Sequence, residues 1–192
     1  MAEQQWFEPS PETVAQANIT RYMQEQGFEN YQDLWRWSVD NKEAFWADMA
    51  RGLHWFRPWD RVLEGQPPRV KWFAGGQTNI CFNALDRHVL GAGRDGGAAG
   101  SPQDKTAFHW EGEPGDRRTI TYQDLYRDVN LLAASLQEMG IGSGDRVVLY
   151  LPRVPEYVVA MLALARIGAV HSVVYTGFSM QGLRQRLFDC RA

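Results

Sequence analysis

The residue types that most often act in catalysis do not form a recognisable catalytic motif in this 192-residue chain. It contains no Gly-x-Ser-x-Gly motif, no His-Glu-x-x-His motif and no phosphate-binding loop that ends in Gly-Lys-Ser/Thr. The four histidines are scattered, and none stands at ligand spacing with a cysteine or a carboxylate. His171 lies inside an apolar run, which favours a satisfied core histidine over a catalytic one. The sequence therefore predicts no catalytic residue and no metal site within this chain.

A glycine-rich run contains Gly91-x-Gly93-x-x-Gly96, the spacing of a dinucleotide-binding loop. That loop requires a strand before it and a helix after it. No β-rich run precedes Gly91, and no helical pattern follows Gly96, so the run is interpreted as a surface linker. A free-standing nucleotide-binding domain is an alternative, and it would require that the chain bind NAD or ATP.

The turn Thr176-Gly177-Phe178-Ser179 has better grounds for a binding role. It follows a predicted parallel strand and precedes a predicted helix, the place where open α/β sheets bind their ligands. Ser179 can cap that helix and leave N–H groups facing an anion. The same residue types are also typical of a tight turn that binds no ligand, and the sequence leaves both interpretations open. Three arginines on the predicted helix could likewise meet phosphates or form a solvated face: Arg184, Arg186 and Arg191.

Hydrophobic patterns place this turn at the end of a βαβ unit. A β-rich run from residue 146 to 151, an apolar helix beginning near Pro155 and ending at Gly168, and an apolar run from 170 to 175 predict two parallel strands, the second of them covered on both faces. Upstream, residues 106–121 predict a β-hairpin, and Thr121-x-x-Asp124 predicts a capped helix that continues to residue 139. Together these elements predict an α/β body with a mostly parallel sheet.

The first 72 residues differ in character, because they hold seven of the eight tryptophans. We expect helices over residues 11–26, 31–39 and 41–52, with Ser10, Asn30 and Asp40 as N-caps. Residues 54–68 predict an extended connection, residues 70–74 a short strand, and residues 79–89 a helix. The aromatic helices are expected to pack on the α/β body. Asp86-Arg87-His88 is interpreted as a structural ion pair that joins the two parts, with a binding triplet as the alternative.

Composition narrows the class of protein. A 44% hydrophobic and 22% charged content is ordinary for a globular chain, and a net charge of −3 gives no basic surface for nucleic acid. The apolar runs are shorter than the ~20 residues that span a membrane, and the N-terminus has no secretory signal pattern. Cys81 and Cys190 lie far apart and predict reduced thiols. We expect a cytoplasmic protein without nucleic-acid or membrane partners.

Two separated regions, in the same order, resemble one family. The block from Gly144 to Ser179 and the blocks Lys71 to Asn79 and Asn83 to His88 are similar to the AMP-forming acyl-CoA synthetases, specifically the acetyl-CoA and propionyl-CoA synthetase branch. The resemblance implies an N-terminal segment over residues 1–90, a linker over 91–105 and the first part of an AMP-binding domain over 106–192. The expected fold is α/β, with the helical, aromatic segment packed on an incomplete, mostly parallel sheet.

The resemblance also implies an activity. Such a ligase activates acetate or propionate with ATP and Mg²⁺ to an acyl-adenylate and transfers the acyl group to coenzyme A. It implies that Gly177 and Phe178 line the coenzyme A channel, although Thr176 stands where the branch usually has glycine. The family's ATP-binding and catalytic residues would lie beyond Ala192, so this chain is expected to be inactive alone, to bind no cofactor tightly and to require the remainder of the same polypeptide. The alternative is a short, non-catalytic interaction module that keeps the scaffold.

Overall fold

The computed structural model describes residues 8–91 and 102–192, which form two compact units. The first unit comprises the described residues up to Arg51 together with Val62–Trp72. The second comprises Gly52–Arg61 and Phe73–Ala192. The interpretation of the glycine-rich run as a linker falls on residues 92–101, which lie outside the described residues.

The described residues alternate helices with short strands, as expected for an α/β fold. The helices are α1 Pro11–Gln16, α2 Asn18–Gln26, α3 Tyr31–Asp40, α4 Lys42–Arg51, α5 Arg87–Val89, α6 Tyr122–Glu138, α7 Pro155–Arg166 and α8 Met180–Cys190. The strands are β1 Arg61–Gln66, β2 Arg69–Ala74, β3 Thr106–Glu111, β4 Arg117–Thr121, β5 Arg146–Leu149 and β6 Val170–Val173. They pair as β1 with β2, β3 with β4 and β5 with β6. Within residues 8–91 and 102–192, no helix is long and apolar enough to cross a membrane.

The single helix predicted over residues 11–26 is wrong, because the backbone is extended at Ala17 (ψ 139°). Ser10 caps α1 as predicted, accepting a hydrogen bond from the Thr13 N–H. The Val14 carbonyl then accepts from the Ala17 N–H at 3.2 Å and from the Thr20 hydroxyl at 2.6 Å. In a continuous helix the same carbonyl would accept from the N–H four residues further along. Because these two donors satisfy it instead, α1 can end and α2 can begin.

Asn30 caps α3 as predicted, but Asp40 does not cap the helix that follows, because it is the last residue of α3. Asn41 alone separates α3 from α4 and serves both. Its N–H donates to the Trp37 carbonyl at 2.8 Å, and its own carbonyl accepts from the Phe45 N–H at 3.0 Å. The side-chain amide of Asn41 also reaches the Trp37 carbonyl, which completes the end of α3.

Aromatic edge-to-face contacts hold the first unit together. Phe45 packs on Tyr22, Trp37 and Trp46 at centroid distances of 6.3, 6.2 and 5.2 Å, and Trp46 continues to Trp72 at 6.2 Å. Such pairs contribute about 0.5–1.5 kcal/mol each beyond the area they bury. The concentration of tryptophan in this half of the sequence is explained by this stack.

The extended connection predicted over residues 54–68 contains a strand that the sequence did not indicate. β1 begins at Arg61 and pairs with β2, and Pro67 and Pro68 form the turn between them. The predicted strand at residues 70–74 is confirmed as β2. β1 was missed because its exposed residues and Gly65 give no apolar alternation.

The second unit begins its core with the predicted hairpin and helix. β3 and β4 pair antiparallel, and Thr121 at the end of β4 caps α6. The Asp124 N–H donates to Thr121 Oγ1 at 3.1 Å, while the Asp124 carboxylate accepts from the Thr121 N–H, which completes the predicted capping box. Buried side chains of the hairpin, α6, α7 and the helical segment ending at Val89 form the main cluster: Cys81, Leu85, Val89, Ile120, Leu125, Val129, Ala133 and Ala163.

The predicted βαβ unit is confirmed. β5 and β6 pair in parallel, with Arg146 opposite Val170 and Leu149 opposite Val173, and Gly168 ends the crossover at φ 77°. The expectation that the second strand is covered on both faces is wrong for the described residues, because Val170 and Val173 are about half exposed. His171, expected to be a satisfied core histidine, lies on this strand and is partly buried, so it borders the core.

The helical segment predicted over residues 79–89 is present, with a π-helical turn at Phe82–Asp86. Asn79 caps it by accepting from the Phe82 N–H at 3.1 Å. The Asn79 side-chain amide also donates to the Ala165 carbonyl at 2.9 Å, at the end of α7. One side chain thus begins one helix and satisfies the end of another.

Asp86 forms an ion pair, but its partner is not in the aromatic N-terminal segment as expected. The carboxylate binds the Arg166 guanidinium of α7 at 2.5 Å, and both side chains are mostly buried. Arg166 also donates to the Asn130 side-chain oxygen and lies 5.3 Å from the centre of the Tyr126 ring, both on α6. The pair therefore ties together three helical segments of the second unit.

The two cysteines should react very differently with alkylating reagents. The Cys81 side chain is fully buried, and burial raises the pKa of its thiol to about 11, whereas Cys190 at the end of α8 is partly exposed. Because the thiolate is the nucleophile, we expect iodoacetamide at pH 8 to label Cys190 in the folded chain while Cys81 stays unmodified. Peptide mass spectrometry with and without urea checks this, and equal labelling of both thiols without urea would contradict it.

Candidate functional site

The candidate site lies where β5 and β6 end at the same edge of the parallel sheet. The Val174 N–H donates to the Leu149 carbonyl at 2.9 Å, so the two strands stay in register up to this point. Tyr150 follows β5, and Tyr175 lies just beyond the end of β6. Parallel pairing therefore brings together two segments that are 25 residues apart in sequence, at the edge where α/β sheets bind ligands.

The turn after β6 is built from its own hydrogen bonds. The Phe178 N–H donates to the Tyr175 carbonyl at 3.1 Å and closes the turn. Ser179 then caps α8 as predicted, since its hydroxyl oxygen accepts from the Gly182 N–H at 3.3 Å. A Cβ added at Gly177 would collide with the Tyr175 ring, so this position requires glycine while that ring keeps its place.

Phe178 is held between a cation and a second ring. The Arg186 guanidinium lies over the Phe178 ring, 4.0 Å from its centre, and the Tyr175 ring meets it edge-on at 6.0 Å. Arg186 also donates to the Gly182 carbonyl at 3.2 Å, one turn back on α8. Phe178 nevertheless stays 43% exposed, so its ring is accessible to a ligand.

A cavity of about 310 Å³ opens beside this turn. Its walls come from the loop after β5, the first turn of α7, the end of β6 and α8, through Leu151, Arg153, Tyr157, Val173, Val174, Tyr175, Thr176, Phe178 and Arg186. Two guanidinium groups and three aromatic rings therefore share one concave surface. Guanidinium groups suit phosphates, and aromatic rings suit a flat base.

A larger concavity of about 580 Å³ runs along α8. Its walls are side chains of that helix, Gln181, Arg184, Gln185, Phe188 and Asp189. A ligand there would be held from one side, whereas the smaller cavity gathers residues from four segments of the chain. We therefore place the candidate site at the smaller cavity.

The structure brings the predicted site residues together in part. Phe178 lines the cavity, and Gly177 lies next to it in the same turn. Of the three arginines on the predicted helix, Arg186 lines the cavity, Arg184 faces the outer concavity of α8, and Arg191 lies beyond the end of α8. Whether Gly177 and Phe178 contact coenzyme A stays a prediction.

Sequence reasoning missed the cavity residues contributed by the other chain segments. Arg153 and Tyr157 follow β5, and parallel pairing places them opposite the turn. A cation in the loop that follows the neighbouring strand was an available signal for Arg153. The Trp110 indole N–H of β3 donates to the Arg153 carbonyl at 2.7 Å, and the Arg118 guanidinium of β4 binds the Glu156 carboxylate at 2.9 Å. The hairpin thus supports this wall of the cavity from outside.

Comparison with known protein families gives two adjacent matches. Residues 96–192 match the family described as AMP-binding enzyme, which covers just over half of the chain. The chain belongs to the AMP-binding enzyme family. Residues 31–84 of this AMP-binding family member match a second model, described as acetyl-coenzyme A synthetase N-terminus. Both matches agree with the resemblance carried by the sequence motifs.

Individual relatives of this AMP-binding chain point the same way. It is 54% identical over 77% of its length to an acetyl-coenzyme A synthetase of Gemmatimonas aurantiaca and 46% identical over 96% to one of Deinococcus radiodurans. An acetoacetyl-CoA synthetase structure from Streptomyces lividans covers 95% of the chain with a TM-score of 0.83 at 30% identity. The chain spans 21% and 26% of the two curated relatives and 28% of the solved structure.

Proposed function

We propose that this chain forms the N-terminal part of an AMP-forming ligase. The enzyme activates a short-chain carboxylate, acetate or propionate, with ATP and transfers the acyl group to coenzyme A. The observation that carries the proposal is the order of the two family matches, the acetyl-coenzyme A synthetase N-terminus at 31–84 followed by the AMP-binding enzyme at 96–192. The gap between these matches, residues 85–95, supports a linker that begins near residue 91. The bounds 1–90, 91–105 and 106–192 are part of the proposal.

Within that enzyme, this chain supplies scaffold and one wall of the coenzyme A site. Coenzyme A carries phosphates and an adenine, and the cavity offers the Arg153 and Arg186 guanidinium groups with the rings of Tyr157, Tyr175 and Phe178. Gly177 lets the Tyr175 ring lie against the backbone of the turn, because a Cβ at this position would collide with that ring, and the ring can therefore line the cavity. In this proposal the turn binds and orients coenzyme A and takes no part in proton transfer.

The adenylation chemistry belongs to polypeptide beyond these residues in this proposal. Exposed apolar side chains on β6 and α8, among them Val170, Val173, Met180 and Phe188, support further polypeptide that covers these two elements. Mg²⁺ would reach the reaction with the ATP phosphates. Among the described residues, no group of three or more His, Cys, Asp or Glu could hold a metal ion, and no step is assigned to the ion here. The two free cysteines support a reducing, cytoplasmic location.

The test is a product analysis of the full-length protein. With acetate or propionate, ATP and coenzyme A, we expect AMP and pyrophosphate, and we expect carboxylate-dependent ATP–pyrophosphate exchange when coenzyme A is omitted. Formation of ADP and phosphate would contradict the proposal. The 192-residue chain alone should show no exchange, and exchange by that chain would overturn the assignment of adenylation to other residues.

A further inference from the structure

Tyr150 makes a contact across the candidate site that the proposed function does not use. It directly follows β5, and its hydroxyl lies 3.0 Å from the Thr176 carbonyl oxygen and 3.4 Å from that of Phe178. These two carbonyls flank Gly177 in the chain. The hydroxyl therefore spans the one residue of the turn that must remain a glycine while the Tyr175 ring keeps its place.

The contact ties the turn to the rigid part of the sheet. A phenol has a single proton to donate, so the shorter bond to Thr176 dominates and the longer one to Phe178 is secondary. The Tyr150 backbone is fixed by its neighbour, because Leu149 pairs with Val173 and its carbonyl accepts from the Val174 N–H at 2.9 Å. The position of Gly177 relative to the strand ends is thus set by a side chain from the neighbouring strand.

The turn does not need this contact in order to form. Its closing bond from the Phe178 N–H to the Tyr175 carbonyl and its cap at Ser179 are both independent of Tyr150. The Tyr150 side chain is partly exposed, and the two carbonyls could bind water if the hydroxyl were removed. Loss of the hydroxyl should therefore shift or loosen the turn while the fold persists.

We propose that Tyr150 is a positioning residue for coenzyme A. Its hydroxyl holds the Thr176–Phe178 segment so that Gly177 and the Phe178 ring meet the incoming ligand. This inference rests on the proposed function, and it adds a residue that touches the turn and not the reacting atoms. It implies that the adenylation half-reaction, which needs no coenzyme A, is insensitive to the Tyr150 hydroxyl.

Tyr150→Phe in the full-length enzyme tests this directly, because the change removes the hydroxyl and keeps the ring. We expect KM for coenzyme A to rise about 5-fold, the value for one neutral hydrogen bond. The rate of ATP–pyrophosphate exchange, KM for ATP and the thermal midpoint should match those of the wild type. Tyr31→Phe is the matched control and should change none of these values, since Tyr31 is 54% exposed and its hydroxyl makes no hydrogen bond to another described residue.

Two results would overturn the inference. An unchanged KM for coenzyme A in an enzyme with normal exchange would show that the hydroxyl does not position the ligand. An equal loss in exchange and in thioester formation would assign Tyr150 a general structural role. Both results leave the proposed function standing, because exchange and AMP formation by the wild type test that function separately.

Discussion

Arg166→Met should lower the free energy of unfolding by about 3 kcal/mol, the lower end of the range for breaking a buried ion pair. The substitution keeps much of the side-chain volume but leaves the Asp86 carboxylate without its partner in a setting where both side chains are more than four-fifths buried. It also removes the donor to the Asn130 side chain and the cation beside the Tyr126 ring. Urea denaturation followed by circular dichroism measures the change.

The matched control is Arg117→Met in the same unit. Arg117 pairs with Glu111 at 3.2 Å, but both side chains are more than half exposed, so the expected loss is below about 0.5 kcal/mol. The double variant Asp86→Asn with Arg166→Met should lose about 2 kcal/mol less than the sum of the two single variants. Equal effects of Arg166→Met and Arg117→Met would contradict a structural role for the buried pair.

Gly177→Val should reduce kcat/KM for coenzyme A by roughly 30-fold in the full-length enzyme, which corresponds to about 2 kcal/mol. A Cβ at residue 177 meets three atoms of the Tyr175 ring, and the two extra methyl groups of valine leave that ring no place over the turn. The displaced ring and the new side chain would both stand where the ligand approaches the backbone. ATP–pyrophosphate exchange should be unchanged, because it precedes the coenzyme A step.

Gly142→Val provides the comparison at a second glycine of the same unit. A Cβ at Gly142 meets no heavy atom within 4 Å, so this substitution should leave kcat/KM for coenzyme A within about 2-fold of the wild type. If Gly177→Val and Gly142→Val gave the same coenzyme A kinetics, the turn would not be part of the coenzyme A site. Steady-state thioester formation measures both variants.

Local signals in the sequence predicted much of the fold. The capping box of Thr121 and Asp124, the cap at Ser179 and the left-handed glycine at Gly168 each depend on residues within one turn of the feature they set. The alternation and apolar runs around residues 106–121 and 146–175 were sufficient for the hairpin and the parallel pair. These elements also locate the turn that carries Gly177 and Phe178.

Features set by distant residues were not predictable from the sequence. Asp86 and Arg166 are 80 residues apart, and nothing near Asp86 indicates that its partner is on α7. The Tyr150 hydroxyl binds backbone carbonyls, which leave no trace in the sequence. The division into units is equally non-local, because Val62–Trp72 belongs with the aromatic helices while Gly52–Arg61 belongs with the α/β body.

The failed local predictions have a common cause. At Ala17 the sequence continues to favour helix, and near Asn41 it predicts a break but places it at the wrong residue. In both places the helix end depends on which donor occupies a single carbonyl, that of Val14 or of Trp37. Helix propensity differs too little between such residues to determine where a helix ends. Hydrogen bonds from Thr20 and Asn41 determine where these helices end, and such bonds can be identified only in the folded structure.

Hydrogen–deuterium exchange on the full-length enzyme tests the central claim most directly. With an unreactive acyl-adenylate analogue in place, addition of coenzyme A should slow amide exchange in the peptide from Tyr175 to Leu183. The turn between β3 and β4, closed by the Gly112 N–H and the Asp116 carbonyl at 2.8 Å, should show no change. Unchanged exchange from Tyr175 to Leu183, with protection by coenzyme A elsewhere in the enzyme, would contradict the assignment of this turn to the coenzyme A site.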